Sequence, residues 1–168
     1  MSLVDVFQLV RLDERDALFA VLGSIDINQS DEWGGNLLHQ AISYRNTTVA
    51  EELIRRGIDV NHQNEDGDTP LHIAAVHQNL SVAKSIIASG GDVNICDRLG
   101  SSPLSTAVFE ANKKINQGEY AMVELLLKHN ADPHHKDNYG MTPIDIARRS
   151  NNSELLRVLE SGGNRNVN

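Results

Sequence analysis

The chain has 168 residues, of which 40% are apolar, 23% charged and seven aromatic, proportions that suit one soluble folded domain with a sizeable core. Its apolar runs fall far short of the ~20 residues a membrane span needs, and one cysteine, Cys96, excludes an internal disulfide, an all-cysteine zinc finger and a cysteine-ligated iron–sulfur cluster. The net charge of −8 divides into −7 over residues 1–66 and −1 over residues 67–168, so no basic face is expected for nucleic acid.

Residues 1–20 mix acidic and basic side chains among the apolar ones and do not read as a secretory leader. A cytoplasmic, reducing setting with no membrane contact is expected. The first unit, about residues 3–30, reads as a helical pair with Val10, Leu12, Leu18, Phe19 and Leu22 as its apolar face and Asp26-Ile27-Asn28 as its ending. From residue 31 the chain repeats. Gly34, Gly67, Gly100 and Gly140 are spaced by 33, 33 and 40 residues, and Leu38, Leu71, Leu104 and Ile144 keep the same steps. Asp26, Asp59, Asp92 and Asp132 follow from one repeat earlier. The 40-residue interval is 33 plus seven inserted residues. The repeated text is Gly-x-Thr-Pro-Leu-His-x-Ala-Ala at Gly67–Ala75, Gly-x-Ser-Pro-Leu-Ser-x-Ala at Gly100–Ala107, Gly-x-Thr-Pro-Ile-Asp-x-Ala at Gly140–Ala147 and Gly-x-Asn-Leu-Leu-His-x-Ala at Gly34–Ala41. Thr69-Pro70 and Thr142-Pro143 are helix-start signals. Leu53-Ile54, Ile86-Ile87, Leu125-Leu126-Leu127 and Leu155-Leu156 fill a second helix in each unit, which Gly57 and Gly90 end. Gly90-Gly91 and Gly162-Gly163 both read as helix-end turns.

These motifs resemble the ankyrin repeat over about residues 26–163. The resemblance implies an all-α solenoid of about five helix-pair units with short β-hairpin fingers, a single small, stand-alone domain over residues 1–163. Residues 1–30 are then an N-terminal cap, 31–63, 64–96 and 97–136 the middle units, and 137–163 a C-terminal cap whose Arg148, Arg149, Arg157 and Glu160 supply a polar outer face. Residues 164–168 are a frayed tail. Hairpins are expected near residues 29–36, 62–69, 95–102 and 135–142. The insertion is expected to lengthen the helix that starts at Pro103 to about Ile115 and then to protrude as a loop, leaving the role of Ala111–Gly118 open and the core untouched.

The chain lacks a phosphate loop, a nucleophile elbow and a His-Glu-x-x-His helix. His39 and His72 occupy the slot whose side chain, by the resemblance, ties the hairpin backbone together. Asp132, His134, His135 and Asp137, with His129 nearby, carry zinc-type donors, yet Asp132 and His134 sit in a turn slot where side chains bond local backbone. No metal and no cofactor are expected. Cys96 reads as an ordinary, partly exposed thiol, with Arg98 the nearest cation in sequence.

By the same resemblance, partners are bound by hairpin tips and the exposed side of the first helix along a concave face. Trp33 and Tyr139 fall at hairpin tips, where Asp66 and Leu99 hold the equivalent slots. Tyr44 and Phe109 fall on the inner-helix face, near Val76 and His77. Exposed Trp and Tyr are typical interface anchors, and Glu32 and Glu65 add acid beside them. The expected partner of Trp33, Tyr44, Asp66, His77, Leu99, Phe109, Tyr139, Glu32 and Glu65 is therefore another protein with a basic surface, met by a monomer. A narrower alternative is an inhibitor or immunity-type protein masking a basic enzyme or toxin. An alternative of another class is metal binding or catalysis at Asp132–Asp137.

Overall fold

The computed structural model describes residues 5–113 and 120–163. These residues form ten helices: α1 (Val6–Arg11), α2 (Arg15–Val21), α3 (Leu37–Ser43), α4 (Thr47–Arg55), α5 (Pro70–Val76), α6 (Leu80–Ala88), α7 (Pro103–Lys113), α8 (Ala121–Lys128), α9 (Pro143–Arg149) and α10 (Ser153–Gly163). They pair as α1/α2, α3/α4, α5/α6, α7/α8 and α9/α10. The inner row runs α1, α3, α5, α7, α9, and the outer row α4, α6, α8, α10, each helix packed on its counterpart in the next unit.

The sequence explains this order. Leu38, Ala41 and Ile42 on α3, Leu71, Ala74 and Ala75 on α5, Leu104, Ala107 and Val108 on α7, and Ile144 and Ala147 on α9 are all buried. The alanines let neighbouring inner helices approach. The outer row buries Val49 and Leu53, Val82 and Ile86, Met122 and Leu126, and Leu155 and Leu159, each large side chain contributing about 1.5–3 kcal/mol. A single unit cannot enclose these faces; stacking does. Pro70, Pro103 and Pro143 are the first residues of α5, α7 and α9, where a missing N–H costs nothing. Asn46, Asn79 and Asn152 cap the second helices by accepting from the N–H of Val49, Val82 and Leu155.

Between the pairs, the chain folds into fingers. Each opens on Asp31, Asn64, Asp97 or Asp137, whose Oδ1 accepts two backbone N–H groups, those of Trp33 and Gly35 in the first finger and of Tyr139 and Met141 in the last. A backbone hydrogen bond closes each loop, as Asn64 N–H to Asp68 O at 3.0 Å. The fingers then join one another: Glu65 N–H donates to Trp33 O, Arg98 N–H to Asp66 O and Asn138 N–H to Leu99 O, each at 2.9 Å. Gly67 shows why the sequence repeats a glycine here. Its φ is +82°, and a Cβ would lie 2.7 Å from Arg98 N, so both its conformation and the stacking exclude a side chain.

Four expectations change. The fingers are tight turns rather than paired strands: the one β-bridge among the described residues joins Ser30 and Asn36, since a five-residue loop closed on itself, as by Asp31 N–H to Gly35 O and Gly34 N–H to Asp31 O, has no length for a ladder. Leu12 was expected on the apolar face of the first unit, but it is 58% exposed; α1 stops at Arg11 and Leu12 becomes its C-cap. Gly162-Gly163 lie inside α10 rather than in a turn. A Cβ on Gly162 would sit 2.7 Å from Leu127 Cδ1, so the glycine serves the approach of α10 to α8.

The fourth change concerns α7, which is longer than α3, α5 and α9, as the insertion implied. It continues through Ala111, which stands where Arg45 and Gln78 take positive φ to end their helices. Ala111 and Asn112 are buried, so this part of the insertion belongs to the core. The expected extension to Ile115 and the protruding loop fall on residues 114–119, outside the described residues.

Candidate functional site

The face built by the finger tips and the ends of the inner helices collects the expected anchors. Trp33, Asp66, Leu99 and Tyr139 hold one repeat position on successive fingers. The two Asx-held N–H groups and the inter-finger bond fix each tip, so the side chain at its apex points away from the stack. Trp33 is 56%, Leu99 53% and Tyr139 75% exposed. On the helices, Val76 and Phe109 share one register position and Tyr44 and His77 the next. Tyr44, Val76 and Phe109 are exposed; His77 is half-buried, and burial, then the nearby Arg45, hold its imidazole below the usual value. Sequence reasoning placed Leu12 in the core, yet as C-cap of α1 it matches Tyr44, the C-cap of α3. The signal it missed is that the first unit is offset by 32 residues rather than 33.

The charge pattern changes along the face. Glu32, Glu65 and Asp66 are exposed on the first two fingers. In the next finger Arg98 replaces Glu65 in register, and Lys113, Arg148 and Arg149 are exposed beyond it. Lys113 lies 4.6 Å from the Phe109 ring centroid and bonds Glu110 at 2.6 Å, and Arg148 pairs with Asp145 at 3.2 Å.

Behind the tips, two buried histidines brace the fingers, as the resemblance implied. His39 Nδ1 accepts from Asn36 N–H at 3.2 Å, and its Nε2–H donates to Asp68 O in the next finger at 3.0 Å. His72 repeats this with Thr69 N–H at 3.1 Å and Ser101 O at 3.1 Å. Accepting at Nδ1 while donating at Nε2 needs the neutral ring. Burial accordingly holds His39 down at about 4 and lowers His72 as well.

The residues considered for metal do not converge: no group of three or more His, Cys, Asp or Glu side chains is arranged to hold an ion among the described residues. Asp132 Oδ1 accepts from His134 N–H at 2.8 Å, and Asp137 Oδ1 is taken by its own finger. His135 Nε2 bonds Gly100 O at 3.0 Å, with Cys96 Sγ at 3.2 Å. Burial, Asp97 and Asp92 push the Cys96 thiol up, which disfavours the thiolate a nucleophile needs. No helix among the described residues is long and apolar enough to cross a membrane.

Comparison with known proteins accords with this geometry. A family profile described as ankyrin repeats (three copies) matches residues 7–97 and again residues 78–168. A protein of Escherichia coli (strain K12), YahD, whose name places it among ankyrin repeat proteins, is 42% identical over 45 residues, 27% of this chain. That match spans 22% of the relative's length.

Proposed function

As a member of the ankyrin-repeat family, to which this chain belongs, the protein carries a scaffold that generally mediates protein–protein interaction, and we propose that it is a non-enzymatic module binding a protein partner on its concave finger and inner-helix face. One observation carries the reading. The exposed large apolar side chains among the described residues are Leu12, Trp33, Tyr44, Val76, Leu99, Phe109 and Tyr139. All fall at finger tips or at two adjacent repeat registers of the inner row, where α1, α3 and α5 end and the lengthened α7 carries Phe109, while the outer row exposes none of that kind. Apolar area concentrated on one face marks an interaction surface, and a rigid row engages a partner without large ordering costs.

Trp33, Tyr44, Phe109 and Tyr139 are the anchors of this reading, with Leu99 and His77 between them. Glu32, Glu65 and Asp66 favour a partner with a basic surface and act mainly on encounter rate. The test is the affinity for a partner recovered from the native cell, compared between the parent protein and a Trp33→Ala/Tyr44→Ala variant. Each anchor removed should weaken binding by about 1–4 kcal/mol with the unfolding midpoint retained. Equal affinity in parent and variant would place the binding surface elsewhere.

A further inference from the structure

The finger row leaves one joint without a mate. Glu65, Arg98 and Asn138 each donate a backbone N–H to the tip carbonyl of the preceding finger. The equivalent donor one repeat upstream is Glu32 N–H, and among the described residues it has no acceptor. On that upstream side, α1 and the first finger enclose a groove of about 310 Å³, lined among others by Asp5, Phe7, Asp31, Glu32, Trp33 and Arg11. Its walls combine the exposed face of Trp33 and the half-buried ring of Phe7 with three carboxylates. The single cation, Arg11, is already paired with Asp5 at 3.3 Å. Asp31 is held by Trp33 N–H, Gly35 N–H and the Gln40 amide, and among the described residues Glu32 engages no cation.

We infer that this groove between α1 and the first finger is the docking site for a loop of the protein partner bearing arginine or lysine, which takes the place a preceding finger would hold. The inference rests on the reading of this face as a protein-binding surface and names the chemistry of what enters at its N-terminal end. A backbone carbonyl of the loop accepts from Glu32 N–H, as tip carbonyls do along the row. The cationic side chain lies over the Trp33 face, where the ring quadrupole attracts it, with its charge met by Glu32 and Asp31. An anionic segment is repelled from the same walls.

Trp33 is the sole tryptophan, so emission excited beyond the tyrosine absorption band reports the indole beside this groove. The probe is the peptide acetyl-Gly-Arg-Gly-Arg-Gly-amide, beside the same peptide with neutral citrulline for arginine. The arginine peptide should change Trp33 emission saturably and bind at least about tenfold more tightly than the citrulline peptide, a margin that shrinks with salt. Glu32→Lys should weaken it by about tenfold and Glu32→Gln by less, while Glu154→Lys, exposed on α10 of the outer row, leaves it unchanged; thermal unfolding verifies each fold. An emission change that is absent, equal with citrulline, or indifferent to Glu32→Lys would overturn the inference. So would a shift of the same size on removing residues 1–4, which would make the chain's own N-terminal segment the occupant. Loss of the native partner on Tyr44→Ala and Phe109→Ala, with no response here, would sink this site alone; retention of the partner would sink the broader reading too.

Discussion

His39 shows how one side chain links the fold to pH. Its ring bridges Asn36 N–H and Asp68 O only when neutral, and burial holds it at about 4 against an unperturbed 6.5. The unfolded chain therefore takes up the proton first. Its stabilising effect is complete above pH ~6.5 and is lost as pH falls towards 4, by up to about 3 kcal/mol. His72 acts in the same direction. Urea midpoints should fall between pH 7.5 and pH 4.5, and His39→Asn should flatten the drop. An unchanged drop in that variant would remove His39 from the account. The finger glycines give a second residue-scale contrast. Gly67→Ala meets Arg98 N at 2.7 Å at a φ of +82°, whereas Gly140 has a φ of +75° but open space beside it. Gly67→Ala should cost about 2 kcal/mol or more and Gly140→Ala about 1 kcal/mol, read as urea midpoints. Equal costs would show that finger stacking adds nothing to the demand for glycine.

At the scale of the element, the insertion shows what a repeat tolerates. Asn46, Asn79, Asn112 and Asn152 keep the 33, 33 and 40 spacing, a series the sequence reading passed over because polar residues near a helix start look like ordinary surface. Three of them cap second helices. Asn112 instead lies buried inside the lengthened α7, and Tyr120 takes the start of α8 without a side-chain cap. Buried Tyr120 O–H donates to Asn152 Oδ1 at 3.0 Å, and Asn152 Nδ2 approaches Asn112 Oδ1 at 3.4 Å. Asn152→Ala removes a cap and strands a buried hydroxyl, so it should cost about 2–3 kcal/mol, against about 1 kcal/mol for Asn46→Ala. Denaturant unfolding decides; parity between the two would mean the polar cluster adds nothing. The repeat register, the helix pairs and the longer α7 were legible from glycine, proline and leucine spacing. Leu12 and Gly162 were misplaced because they depend on where α1 stops and how closely α10 meets α8, which no local pattern encodes.

Over the whole molecule, the tips and inner-helix ends were legible as exposed positions because the repeat fixes where each side chain points. The groove beside Trp33 was not, because it arises between α1 and a finger 19 or more residues away in sequence. Glu32, Glu65 and Asp66 concentrate acid on the first two fingers, whereas further along cations and acids are mixed, Lys113 pairing with Glu110 and Arg148 with Asp145. Replacing Glu32, Glu65 and Asp66 together with Gln or Asn should mainly slow association, and more at low salt, where screening is weakest. A change confined to dissociation would contradict a steering role.

Amide hydrogen exchange of the protein with and without its bound partner locates the binding face. Binding on the finger face should protect the fingers and the inner helices, around residues 29–44, 62–77, 95–109 and 135–149, with α4, α6, α8 and α10 exchanging as in the free protein. Protection confined to the outer row, with the fingers unaffected, would contradict it.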